Sequence, residues 1–307
     1  MGKTAASLEV AFGRHAGRLR WGGRVVALIA GVVGVLPTVA STAAAGPATI
    51  TAGHVRALVD DLVNYVALGD SYSSGVGTGS YDAASGDCAR SPLSYPPLWA
   101  AANDPAGFEF VACSGATTGD VRGKQISALS PGTNLVTITI GGNDVGFGPV
   151  LQTCTFAQSD RTCIAAVNTA EAYTRSVMPG RLARIYADIR SAAPDAQVIV
   201  LGYPRLFDLA PSCAEPLVPN LVRREKLNEG SDVLNTVIQK TVSQQSGFSF
   251  SDVRGRFAGH EVCSADPWIN GPTTPWSVGP YHPNRAGYRN AYLDALDTAT
   301  DPSAAAA

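Results

Sequence analysis

The segment 64–79 constrains the fold more than any other part of this sequence. It opens with a short apolar run, residues 65–68, which is typical of a buried β-strand, and the run stops abruptly at Gly69-Asp70-Ser71. A strand that ends in a glycine, an acid and a small hydroxyl residue is typical of the carboxyl edge of an α/β sheet, where ligands bind. Ser71 therefore offers a hydroxyl at that edge, together with a backbone N–H in the unpaired first turn of whatever helix follows.

Two further apolar runs end in residues of the same kind. Residues 108–112 lead into Ser114-Gly115, and residues 135–140 lead into Gly141-Gly142-Asn143-Asp144. Because all strands of a parallel sheet end at one edge, a hydroxyl, a glycine N–H and a side-chain amide would meet there. Acyl transfer needs these groups, since a nucleophile attacks a carbonyl and N–H donors stabilise the charge that forms on its oxygen.

Helical patterns separate the apolar runs. Helices are predicted over residues 168–193, 220–246 and 283–296, and further strands over residues 198–201 and 248–253. Strands that alternate with helices form parallel sheets through right-handed crossovers, with helices on both faces. We therefore predict one α/β domain over residues 46–307, a three-layer α/β/α sandwich around a mostly parallel five-stranded sheet.

Residues 1–45 have the composition of a secretory signal. Residues 1–24 carry five Lys or Arg and one Glu, residues 25–39 are apolar apart from glycines, Pro37 and Thr38, and residues 41–45 are small. The apolar run has about 15 residues, fewer than the ~20 that cross a bilayer. We predict cleavage near Ala45 and secretion of the remainder, with an uncleaved membrane anchor as the alternative.

The charge of the predicted mature chain argues against nucleic acid as a partner. The full chain has 23 Lys and Arg and 25 Asp and Glu, and residues 1–45 hold five of the former and one of the latter, which leaves a net charge of −6. Proteins that bind nucleic acid present basic surfaces to the phosphates.

All six cysteines follow the predicted signal segment. An even number behind such a signal predicts three disulfides, and the alternative of a zinc site is disfavoured because the sequence has no C-x-x-C pair. Six cysteines allow 15 pairings, among which the sequence does not choose. Our prediction is the sequential set, Cys88–Cys113, Cys154–Cys163 and Cys213–Cys263.

A serine nucleophile also needs a general base, and histidine suits this role near neutral pH. The candidate is His282, which lies just before the predicted closing helix. His260, beside Cys263, is interpreted as structural. Ser71 and Asn143 are also residue types that cap helices, and Asp70 is interpreted as a brace of its turn.

Four blocks in order resemble the SGNH, or GDSL, hydrolase family. They are ALGDSYSSG, ACSGATT, IGGNDVGF and HPNRAGY, which begin at residues 67, 112, 140 and 282. They are similar to the secreted actinobacterial esterases and lipases of that family, and the similarity extends over residues 64–297. The resemblance implies a flavodoxin-like fold and chemistry without a metal or cofactor.

The resemblance also implies roles for individual residues. Ser71 matches the nucleophile, His282 matches the base, and the oxyanion donors match Ser71, Gly115 and Asn143. Family members commonly have an acid three residues before this histidine, where the present chain has Gly279. Because some members orient the histidine with a backbone carbonyl, we predict Gly279 C=O for that role, with the Asp266 side chain as the alternative.

The sequence therefore predicts a secreted, monomeric serine esterase or lipase that forms an acyl-enzyme on Ser71. Its partner would be a small-molecule or lipid ester, with transient contact to a lipid interface. The alternatives are a carbohydrate O-deacetylase, a phospholipase and a non-catalytic cell-surface binding protein. Because the base must be neutral, activity is predicted to rise as the pH passes roughly 6–7.

Overall fold

A computed structural model describes residues 62–275 and 277–301. The predicted signal segment, its cleavage near Ala45 and the domain boundary at residue 46 lie outside these residues. Within them, every helix is too short or too polar to cross a bilayer.

Five parallel strands form a single sheet in the order β2-β1-β3-β4-β5. The strands are β1 (Asn64–Gly69), β2 (Gly107–Phe110), β3 (Leu135–Thr139), β4 (Gln197–Leu201) and β5 (Phe248–Ser251). The α-helices are α1 (Ser71–Ser74), α2 (Tyr95–Asn103), α3 (Thr118–Lys124), α4 (Phe147–Phe156), α5 (Asp160–Ser176), α6 (Met178–Ala192), α7 (Leu221–Val242), α8 (Arg285–Gly287) and α9 (Asp294–Thr300). Short 3₁₀ segments cover Ala83–Cys88 and Ile126–Ala128, and a π-helical turn, Tyr288–Leu293, joins α8 to α9.

The helices fall into two groups, one for each face of the sheet. Helix α2 packs against the π-helical turn and α9, and α9 contacts β4 and β5. Helices α3 to α7 contact one another in a separate group, of which α7 also contacts β5. The central strands β1 and β3 are buried along almost their whole length, as expected of strands covered on both faces. The predicted α/β sandwich with a five-stranded parallel sheet is confirmed.

The single helix predicted over residues 168–193 is wrong, because the chain forms two helices there. Helix α5 ends at Ser176, and Val177 departs from helical geometry with a φ of −110°. Pro179 then lies in the first turn of α6. Proline has no N–H to continue the hydrogen bonds of a preceding helix, but it fits the first turn of a new one.

The end of β1 is fixed by a side chain from the connection between β2 and β3. Gln125, which follows α3, accepts from Gly69 N–H over 2.8 Å and donates to Gly69 C=O over 2.9 Å. Gly69 has a φ of +126°, and a Cβ there would lie 2.5 Å from Thr139 O and from Ser73 Oγ. The turn into Ser71 therefore requires glycine.

Three disulfides join the pairs that the sequence analysis proposed: Cys88–Cys113, Cys154–Cys163 and Cys213–Cys263. The first lies directly before Ser114-Gly115, where Ser114 N–H also donates to Cys88 C=O over 3.0 Å. The second joins α4 to α5. Disulfides stabilise mainly by restricting the unfolded chain, and the first also fixes the segment that carries Gly115.

Candidate active site

The structure brings Ser71 and His282 into direct contact, although 211 residues separate them in sequence. His282 Nε2 lies 2.8 Å from Ser71 Oγ. Ser71 is the first residue of α1, and Asp70 caps this helix by accepting from Tyr72 N–H over 2.9 Å. The serine is therefore positioned by a strand end and a helix start together.

The histidine loop, residues 277–284, is held against the segment that follows α1. Gly77 N–H donates to Val278 C=O over 2.8 Å, and Tyr72 Oη donates to Tyr281 C=O over 2.7 Å. Asn270 N–H donates to His282 C=O over 2.9 Å. These bonds fix the backbone of His282 relative to Ser71.

The prediction that Gly279 C=O orients His282 is wrong, because the carbonyl of the next residue, Pro280, takes this place. His282 Nδ1 lies 2.8 Å from Pro280 O. Gly279 has a φ of +102°, and its carbonyl instead accepts from Asn270 Nδ2 over 3.2 Å. Asn270 thus binds Gly279 C=O, which was predicted to bind the histidine, and Pro280 C=O faces the imidazole ring instead.

The alternative orienting group, Asp266, is also displaced from this role. Its side chain accepts from Trp268 Nε1 over 3.2 Å, and its backbone oxygen lies 2.7 Å from His260 Nδ1. The rings of His260 and Trp268 stack with centroids 3.6 Å apart. Asp266 therefore belongs to a separate surface cluster, and the structure contains a Ser–His pair oriented by a backbone carbonyl.

The contacts of His282 fix its tautomer. A carbonyl oxygen only accepts hydrogen bonds, so Nδ1 must carry the proton that faces Pro280. Nε2 of the neutral ring then has a free electron pair that accepts from the Ser71 hydroxyl. Burial lowers the pKa of His282 from 6.5 to about 4, while the hydrogen bond to Pro280 partly opposes this shift.

This lowered pKa changes the expected pH dependence. Residue 282 keeps some accessible surface toward the pocket, so solvent weakens the effect of burial, and we expect the acid limb of kcat/KM to have its midpoint between pH 4 and 6.5. Below that midpoint the ring is protonated and cannot take a proton from Ser71. Titration of released acid from a soluble short-chain ester measures the profile. A midpoint at or above 6.5 would mean that burial does not lower the pKa of His282 in the working enzyme, and would contradict this expectation.

The predicted oxyanion donors lie at neighbouring strand ends. Cys113 N–H donates to Gly69 C=O over 3.0 Å, which holds the Gly115 segment beside the turn of Ser71. Asn143 Nδ2 donates to Ala116 C=O over 3.0 Å, and the amide retains a second N–H. In the described part of the chain, the N–H groups of Ser71 and Gly115 have no hydrogen-bond acceptor, so both are free to bind an anion.

Asp144 supports the segments that carry the predicted oxyanion donors and is not itself one of the donors. Its buried carboxylate accepts from Thr118 N–H over 2.8 Å, from Thr118 Oγ1 over 2.7 Å and from Arg181 Nη1 over 2.7 Å. These bonds tie the end of β3 to the starts of α3 and α6.

Sequence reasoning missed the residue that bonds to Asp70. Tyr203, directly after Gly202 at the end of β4, donates through Oη to Asp70 Oδ2 over 2.5 Å and accepts from Gly142 N–H over 3.0 Å. The only sequence signal was its place at a strand end, in Gly202-Tyr203-Pro204.

An apolar cavity of about 250 Å³ opens beside Ser71 and His282. Its walls include Phe147, Leu151 and Tyr281, and its lining is mostly apolar. Two strongly exposed side chains, Phe156 and Leu217, also line it. An apolar chain attached to a carbonyl at Ser71 can lie in this cavity. Among residues 62–275 and 277–301, no three His, Cys, Asp or Glu side chains are arranged to hold a metal ion.

Known proteins resemble this chain over most of its length. The model of the GDSL-like Lipase/Acylhydrolase family matches residues 67–289. A protein named Lipase 1 from Streptomyces coelicolor is 45% identical over 273 residues, which cover 88% of this chain and 98% of that protein. A lipase from Streptomyces rimosus is 47% identical over 253 residues, which cover 82% of this chain and 91% of that protein.

Two solved structures are similar as well. Phospholipase A1 from Streptomyces albidoflavus superposes with a TM-score of 0.75 at 48% identity, and the extracellular lipase of S. rimosus with a TM-score of 0.74 at 48% identity. Each match covers 78% of this chain and 100% of the other. The protein is thus a carboxylic ester hydrolase, which excludes the non-catalytic binding protein considered above. The chain belongs to the GDSL-like lipase/acylhydrolase family.

Proposed function

We propose that Ser71 and His282 carry out ester hydrolysis through an acyl-enzyme. Ser71 Oγ attacks the ester carbonyl while His282 Nε2 takes its proton, and the resulting imidazolium is stabilised by Pro280 C=O through Nδ1–H. The negative charge on the former carbonyl oxygen is bound by the N–H groups of Ser71 and Gly115 and by the Asn143 amide. The alcohol leaves with the proton from Nε2, and water then cleaves the acyl-enzyme by the same steps.

The observation that carries this proposal is the 2.8 Å contact between Ser71 Oγ and His282 Nε2 at the apolar cavity. An organophosphonate that carries an alkyl chain tests it, because such reagents react with an activated serine. Mass spectrometry of a proteolytic digest is expected to find the adduct on Ser71. An adduct on another residue, with Ser71 unmodified, would contradict the proposal.

We propose carboxylic esters of lipids as the substrate class. The cavity is mostly apolar, which suits an acyl chain better than a sugar, and the similar proteins are named lipases and a phospholipase A1. A carbohydrate O-deacetylase needs a polar cleft for its glycan, and acetylated xylan is expected to be a poor substrate compared with tributyrin.

We further propose that the mouth of the cavity meets the lipid surface. Phe156, at the end of α4, is 62% exposed, and Leu217 is 57% exposed, although both line the cavity. A lipid surface would cover them and let the ester pass directly from the lipid layer to Ser71. Because the predicted mature chain has a net charge of −6, we propose an uncharged or zwitterionic surface rather than an anionic one.

Replacing Phe156 and Leu217 together with serine is expected to raise the apparent KM for emulsified tributyrin by about 10-fold, since each apolar side chain transferred from water contributes about 1.5–3 kcal/mol at most. Activity on soluble p-nitrophenyl acetate is expected to stay within about two-fold. Leu62→Ser is the matched control, because Leu62 is 49% exposed but precedes β1 at the opposite edge of the sheet. An equal change in the control, or no change in the double variant, would contradict lipid contact at this mouth.

We also propose that the protein is secreted after cleavage near Ala45 and that it is a monomer. The composition of residues 1–45 supports export, as does the presence of three disulfides, which form in oxidising compartments.

A further inference from the structure

The hydroxyl of one buried tyrosine connects the ends of three neighbouring strands. Tyr203 follows β4, and its Oη donates to Asp70 Oδ2 at the end of β1 and accepts from Gly142 N–H at the end of β3. The two bonds measure 2.5 and 3.0 Å. Neighbouring strands in a sheet are joined by backbone hydrogen bonds, but here a phenol joins them beyond the point where the strands stop.

Each partner of this hydroxyl directly precedes a residue of the proposed machinery. Asp70 is covalently bonded to Ser71, and its other carboxylate oxygen caps α1 through Tyr72 N–H. Gly142 is covalently bonded to Asn143. A movement of Asp70 relative to Gly142 would therefore change the distance between the nucleophile and one oxyanion donor.

Tyr203 is itself fixed on several sides. Asn235 of α7 accepts from Tyr203 N–H over 2.9 Å and donates to Tyr203 C=O over 2.8 Å. The ring packs edge-on against Tyr72, with centroids 5.1 Å apart. A Cβ at Gly142 would lie 3.3 Å from the phenol carbon and oxygen, so the backbone of Gly142 touches the ring closely. The phenol thus acts as a spacer of fixed length.

We propose that Tyr203 is a positioning residue, whose hydroxyl holds Ser71 and Asn143 at the separation that attack on the ester and oxyanion binding require together. This inference rests on the proposed roles of those two residues. The hydroxyl acts through Asp70 and Gly142, and its contribution is to the geometry of the transition state rather than to the binding of the acyl chain. It should therefore affect kcat more than KM.

The test is the Tyr203→Phe variant, which keeps the ring and removes only the hydroxyl. We expect kcat for p-nitrophenyl butyrate to fall about 10- to 100-fold, because a misplacement of about 1 Å can cost 100-fold, while KM changes less than about three-fold. Tyr65→Phe is the matched control. Tyr65 is also buried, and its Oη lies 2.7 Å from Thr137 Oγ1, so this contact joins β1 to β3 within the sheet and not at the strand ends that carry Ser71 and Asn143.

The two variants separate positioning from general stability. Tyr203→Phe loses two buried hydrogen bonds and Tyr65→Phe loses one, so both should lose thermal stability, but Tyr65→Phe should keep kcat within about two-fold. An unchanged kcat in Tyr203→Phe, an equal fall of kcat in both variants, or failure of Tyr203→Phe to fold would overturn the inference. Full activity in a Ser71→Ala protein would overturn the proposed mechanism instead, whatever Tyr203→Phe does.

Discussion

Replacing Ser71 with alanine is expected to lower kcat by about 10⁴- to 10⁶-fold, the range observed when a serine hydrolase loses its nucleophile. The backbone N–H groups of residues 71 and 115 and the Asn143 amide can still polarise an ester carbonyl, so a small rate above that in water should persist. Initial rates with p-nitrophenyl butyrate measure the loss. The organophosphonate should no longer label this variant.

The fold should tolerate this change. The Ser71 hydroxyl contacts His282 Nε2, and losing one such hydrogen bond costs about 1 kcal/mol or less of unfolding free energy. Ser74→Ala is the control, because Ser74 lies in the same short helix and its Oγ contacts only the backbone oxygen of Ser71, at 3.4 Å. An active Ser71→Ala enzyme with an inactive Ser74→Ala enzyme would move the nucleophile to Ser74.

A second large loss is expected from His282→Ala, about 10⁴-fold or more in kcat, because among the described residues His282 Nε2 is the side-chain group that bonds to Ser71 Oγ. Asp266→Ala should change kcat less than about three-fold, since the Asp266 side chain bonds to Trp268 and lies in the cluster with His260. Steady-state rates at pH 8 compare the two variants with the parent enzyme.

The comparison decides how the histidine is oriented. Disabling the acid of a Ser–His–Asp triad costs about 10⁴-fold, because the imidazole then adopts the wrong tautomer. A loss of that size in Asp266→Ala would restore a side-chain triad and would mean that the histidine loop rearranges when substrate binds. A small loss supports Pro280 C=O as the group that orients the ring.

The places of Ser71, Gly115 and Asn143 could be predicted from the sequence because the topology of a parallel sheet determines them. Each residue follows a recognisable apolar strand within a few positions, and all such strands end at one edge. The pairing β2-β1-β3 then brings the three segments side by side without any knowledge of the loops. The contact with His282 was expected from the need for a base and from the family resemblance, because its loop lies outside this regular pattern.

Two parts of the site could not be predicted, for different physical reasons. The choice between Gly279 and Pro280 depends on which carbonyl Asn270 binds, and the sequence does not specify the path of that loop. Tyr203 could not be predicted because the sequence shows only a tyrosine after a strand. Its hydroxyl comes to lie between Asp70 and Gly142 through the pairing of β1, β3 and β4.

Two carboxamides hold the backbone at the edge of this sheet. Gln125 pairs with both the N–H and the C=O of Gly69, and Asn235 does the same for Tyr203. Each needs its NH₂ group as a donor, so deamidation to the corresponding acid would leave a carboxylate facing a carbonyl oxygen, where it is repelled. Deamidation of Gln125 would therefore loosen the turn at Gly69 that leads into Ser71, and deamidation of Asn235 would loosen the backbone of Tyr203. A change at either amide is therefore expected to reach the nucleophile, although neither side chain lines the substrate cavity.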